Sequence, residues 1–135
     1  MPPNTTTLYR NTFNNVKGNG FATITLPPSF RKFDVYLVFN SPSNGAIKKV
    51  IFQNSEFDMS TPIDHPFYDC NELTEISFEA IVDPAKIPPM STSLFENDRF
   101  SNDLVIYVAN EEMKTAFENA TNWNKYAGRY QIRGQ

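Results

Sequence analysis

The chain has 135 residues, 40% of them hydrophobic and 20% charged, with twelve Phe and six Tyr, which suits one folded domain with a modest core rather than a disordered chain. Its net charge is −3, and Lys and Arg are scattered singly, so no basic stripe exists to neutralise phosphates and nucleic acid is not an expected ligand. The single cysteine, Cys70, excludes an internal disulfide and a multi-cysteine metal site.

In chain order, the opening stretch MPPNTTTLYRNTF has no basic region followed by an apolar run, so it does not read as a secretory signal. No apolar run approaches the roughly eighteen residues needed to span a bilayer. A recurring pattern then begins: Phe21, two residues, Ile24, one residue, Leu26. It returns as Ile47, Val50 and Phe52, and again as Leu73, Ile76 and Phe78. In NDLVIYVAN it has one residue fewer at its start, with Leu104, Ile106 and Val108. Ile24, Val50, Ile76 and Ile106 are separated by 26, 26 and 30 residues, within the range of stacked supersecondary units. Phe39, Phe67 and Phe95 precede the last three copies, and Phe13 opens the first.

Period-two alternation predicts strands at 23–27, 49–53, 75–79 and 105–109, with Ile24, Leu26, Val50, Phe52, Ile76, Phe78, Ile106 and Val108 facing a core. Stacked in one direction, they make a parallel sheet with strands about 4.8 Å apart. LPPSFRKFDVYLVF, with Phe30, Phe33, Val35 and Leu37, and the Pro-rich DPAKIPPMSTS read as irregular or short-strand returns on the far side. After the last strand, Asn110 is placed to cap a helix, with Glu111 and Glu112 at its positive end and Met113, Ala116, Phe117 and Ala120 as its apolar stripe. That helix, with Trp123 and Tyr126, reads as a lid over the final strand.

At Phe67, Cys70, Leu73, Ile76 and Phe78 the chain resembles the BspA-type leucine-rich repeat, a family of gut and mouth bacteria and some protozoa. The segment DPAKIPPMSTSLF, the strand Ile106 to Val108, the helix Met113 to Asn119, Trp123 and Tyr126 are similar to that family's closing unit. Residues 1 to 45 follow the pattern less closely, without the Cys and with extra residues between Phe33 and Phe39. The resemblance implies a leucine-rich-repeat-like β-solenoid forming one domain over 1–135. Its repeats would lie at roughly 8–38, 39–66, 67–94 and 95–109, about four in number, with a helical cap at 110–135. It also implies that Cys70 packs inside the coil and that the function is non-catalytic binding.

By alternation the outward column of the sheet holds Thr23, Thr25, Lys49, Ile51, Gln53, Glu75, Ser77, Glu79, Val105 and Tyr107. Lys49 and Glu75 are expected cross-strand partners, which accounts for both structurally. Ile51, Val105 and Tyr107 are apolar yet outward, which marks either a contact patch or a surface covered by the amino-terminal segment or a flanking loop. No catalytic constellation accompanies His65, which reads as a loop histidine, and no phosphate loop, glycine elbow or metal-ligand spacing appears. No cofactor or metal is expected. Asn4 and Asn119 begin Asn-x-Thr sequons, which matter only in a eukaryotic secretory pathway.

Two functions are open. One is a non-enzymatic interaction module that binds a protein or surface partner through the sheet face, as the resemblance implies. The other is a structural assembly subunit, such as a capsid or tail component of a phage of gut bacteria, which the missing export signal favours. The expected partner is a protein or further copies of the chain, without nucleic acid or membrane insertion; nothing supports carbohydrate. The expected location is cytoplasm or virion, or the cell surface if an export segment has been removed.

Overall fold

The structure, a computed structural model, describes residues 7–8, 23–33, 47–64, 66–67, 70, 72–95 and 100–135. Its strands are β1 (Thr7–Leu8), β2 (Thr23–Leu26), β3 (Lys32–Phe33), β4 (Lys49–Phe52), β5 (Glu75–Ser77), β6 (Val105–Val108) and β7 (Tyr130–Ile132), with one helix, α1 (Glu111–Asn119), between β6 and β7. Five of these strands form a single parallel sheet in the order β2-β4-β5-β6-β7. Ile24 pairs with Val50, Val50 with Ile76, and Ile76 with Ile106, so the sequence echo is a register of neighbours in space.

The register follows from burial on one face. A slip of one residue would carry every Ile, Val and Phe of a strand to the other side, and Ile24, Leu26, Val50, Phe52, Ile76, Phe78, Ile106 and Val108 are all buried. Backbone bonds at the strand ends hold the same steps, with Gln53 N–H on the Leu26 carbonyl, Val105 N–H on that of Thr74 and Ile106 N–H on that of Arg129, each at 2.9 Å. Behind the sheet the aromatic rings stack along the core. Phe30 lies 6.0 Å from Phe52, Phe52 lies 4.8 Å from Phe78 and nearly parallel to it, and Phe78 lies 5.6 Å from Phe117 of α1. Each such ring contributes about 1.5–3 kcal/mol by leaving water.

The far side is made of short pieces, as expected from its prolines. β1 pairs in parallel with β3, and Ile63 bridges Met90 in parallel. Asp83 caps a three-residue 3-10 turn, Pro84–Lys86, by accepting the Ala85 N–H at 2.9 Å. Phe30 and Phe33 are buried there. Phe13, Phe21, Val35, Leu37, Phe39 and His65 lie outside the described residues.

Two expectations need correction. Four sheet strands were expected, but the sheet has five: β7 lies in the segment expected to act only as a cap, and it continues the parallel order beside β6. It joins because Tyr130 repeats the inward position of Ile106 and is buried. The expected strand at 75–79 is shorter, ending at Ser77, because the chain then turns, closed by the Ile81 N–H on the Phe78 carbonyl at 3.0 Å. The helix stands as expected: the Asn110 side chain accepts the Met113 N–H at 2.9 Å, and Met113 and Phe117 are buried. A five-stranded parallel sheet with one helix is compatible with a small α/β or solenoid-like fold.

Candidate functional site

The outward face of the sheet is built from two rows that the pairing register defines. One runs Thr23, Lys49, Glu75, Val105. The other runs Thr25, Ile51, Ser77, Tyr107, Gln131. Thr23 and Gln53 are exposed, while Thr25, Lys49, Ile51, Glu75, Glu79, Val105 and Tyr107 are half-buried. Ser77 departs from the expected column of accessible residues. It is only 3% exposed, being a short side chain between Ile51 and Tyr107 and beneath Glu79, whose Oε1 accepts its hydroxyl at 2.7 Å.

Lys49 Nζ lies 3.6 Å from Glu75 Oε1, the expected cross-strand pair, which stabilises the sheet by only a few tenths of a kcal/mol. A larger feature depends on a residue the sequence reading did not single out. Arg133, just after β7, lays its guanidinium 3.9 Å from the centre of the Tyr107 ring. Its Nη2 donates to Glu75 Oε2 at 3.0 Å and to Glu79 Oε1 at 2.8 Å, and its Nε donates to both Glu79 oxygens at 3.1 Å. Fork-shaped contacts of this kind are stronger and more directional than point-charge pairs.

The electrostatics follow from these contacts. The Arg133 fork holds the Glu79 carboxyl below the usual carboxylate range; burial opposes it, and the Ser77 hydroxyl adds to the lowering. Hydrogen bonds to Glu79 and then Glu75 raise Arg133 further above its already high value. Held ionised in this way, the Glu79 carboxylate is suited to accept donors from a cation, not to supply a proton. Tyr107 was expected to belong to a contact patch or to be covered by the amino-terminal segment or a flanking loop; Arg133, in the turn after β7, lies over its ring. The signal that could have found it is the Tyr-x-Ile alternation at 130–132, whose extension by one residue puts Arg133 at the end of a fifth strand.

An open apolar cleft of about 570 Å³ lies between the Pro84–Met90 segment and the carboxyl-terminal helical region, lined among others by Ile87, Pro88, Met90, Ala116, Ala120 and Trp123. Trp123 and Tyr126 are buried packing residues. Cys70 is buried in the core. Among the described residues no group of three or more His, Cys, Asp or Glu is placed to hold a metal ion, and no helix is long and apolar enough to cross a membrane. Searches against family models, curated proteins and solved structures returned no match.

Proposed function

We propose that the chain is a non-enzymatic interaction module, a short leucine-rich-repeat-like coil that binds a protein partner through the outward face of its sheet. The observation that carries this reading is the row Thr25, Ile51, Ser77, Tyr107, Gln131, five residues from five parallel strands in consecutive register. Parallel strands paired in chain order support the coil, since each unit can bury its apolar edge only against the next. A mixed polar and apolar row held in register by backbone pairing is the kind of surface that docks another protein with little backbone movement.

A photo-crosslinking residue placed at Ile51, compared with one at the exposed Thr115 on α1, tests the reading in cells that produce the chain. A partner protein captured at position 51 and not at 115, and lost from purified Ile51→Asp protein in a direct binding assay, supports it. Equal capture at both positions, or unchanged binding by Ile51→Asp, overturns it. Capture of the chain by itself at position 51 points to the assembly-subunit function instead.

A further inference from the structure

We infer that Glu75, Tyr107 and Glu79 form a seat for a guanidinium group, filled internally by Arg133, and that the partner of the sheet face presents an arginine to this seat. The inference rests on the sheet-face reading and names the chemistry of the partner.

Three features select the ligand. The floor is the Tyr107 ring, which takes a flat cation face-on. The walls are Glu79, which accepts from both Nε and Nη2, and Glu75, which accepts from the same Nη2. Only a planar fork can stack on the ring and reach both carboxylates; an ammonium is a point charge that satisfies one of these demands at a time. The charge count selects one cation. With Lys49 beside Glu75 at 3.6 Å, the face carries two negative charges and one positive without Arg133, and one guanidinium neutralises it.

The internal occupant is placed to leave. Arg133 lies beyond the last paired residue, Ile132, and its side chain is 49% exposed. The following turn is closed by the Gln135 N–H on the Ile132 carbonyl, with Gly134 at φ +87°. Its side chain can swing out without unpairing a strand. A tethered occupant competes with an incoming one at high effective concentration, so the affinity of the seat for an external arginine is reduced by the fraction of time Arg133 fills it.

The consequence runs against intuition, because removing a surface arginine should strengthen binding. The probe is N-acetyl-arginine amide, titrated while the amide signals of Glu75, Glu79 and Tyr107 are followed by NMR, with N-acetyl-lysine amide as the comparison. Arg133→Ala is expected to bind the arginine probe at least about fivefold more tightly than the wild type and to prefer it over lysine. Adding Glu79→Gln or Tyr107→Leu to Arg133→Ala should abolish the gain. A thermal melt accompanies each variant, and Arg133→Gln carries the same comparison should Arg133→Ala not fold. Equal binding by wild type and Arg133→Ala, equal response to the lysine probe, or undiminished binding in the double variants overturns the seat. Crosslinking at position 51 with no gain in Arg133→Ala sinks the seat and leaves the sheet-face reading standing; the converse result leaves the guanidinium seat but sinks the sheet-face reading and, with it, the partner's arginine.

Discussion

Trp123 donates its indole N–H to the Pro88 carbonyl at 2.8 Å, inside the protein and across 35 residues of chain. Trp123 is also edge-on to Phe78 at 5.3 Å and to Phe117 at 5.1 Å, so one side chain ties the Pro-Pro segment, the core rings and α1 together.

Trp123→Phe should therefore keep most of the apolar contact but strand the Pro88 carbonyl, at a cost of about 1–3 kcal/mol. Trp123→Ala should cost about 3–5 kcal/mol, since it also opens a cavity. Urea denaturation separates the two: the expected order of midpoints is wild type, then Phe, then Ala. A Phe variant as stable as the wild type would mean that the indole bond contributes nothing.

The strand register gives a second expectation. Ile76 is fully buried, whereas Thr23, on the opposite face of the same sheet, is exposed. Ile76→Asp places an unpaired carboxyl among Val50 and Ile106 and should cost several kcal/mol or prevent folding. Thr23→Asp should stay within about 0.5 kcal/mol of wild type. Thermal melts of the two proteins check it, and comparable losses would mean that the alternation is misassigned.

How much of this was legible in the sequence differs by element. Ile24, Val50, Ile76 and Ile106 announced the sheet because each is the centre of a recurring apolar triplet at a nearly constant interval. Tyr130–Ile132 did not, because three residues with a single buried aromatic carry too little periodicity to stand apart from the lid around them. Alternation assigns each strand residue a side, and the pairing register sets Thr23, Lys49, Glu75 and Val105 in one row and Thr25, Ile51, Ser77 and Tyr107 in the other. The chemistry of the outward face was not legible: Arg133 meets Glu75 and Glu79 across 58 and 54 residues, and nothing local in sequence links a side chain beyond one strand to acids two strands away. Ser77 was read as accessible because alternation reports direction only, while burial depends on the size of Ile51, Tyr107 and Glu79 around it.

The helix start offers a third expectation. Asn110 satisfies the Met113 N–H, one of the four amides a helix leaves unpaired at its beginning. Asn110→Ala should cost about 1 kcal/mol, and Asn110→Asp should be close to neutral because it accepts the same bond beside the helix dipole. Chemical denaturation of both variants tests this, and an Ala variant equal to wild type would mean that water replaces the cap.

Alkaline pH gives the fourth. The Tyr130 hydroxyl donates to the Trp123 carbonyl at 2.7 Å in the interior, and burial, followed by Tyr126 and Glu118, raises its phenol well above the usual tyrosine value. A raised value in the folded state means that the native protein keeps a proton the unfolded chain has released, so stability is complete below about pH 10 and falls as pH rises beyond it. Each unit of pH above that point removes up to about 1.4 kcal/mol through this one group. Tyr130→Phe lacks the proton and the bond: at neutral pH it should be less stable than wild type by about 1–2 kcal/mol, yet lose less stability between roughly pH 10 and 11.5. Urea midpoints measured across that range should converge, and phenolate absorbance should show one tyrosine of the wild type ionising only as the protein unfolds. Parallel pH profiles for the two proteins would show that Tyr130 is not the group that resists ionisation.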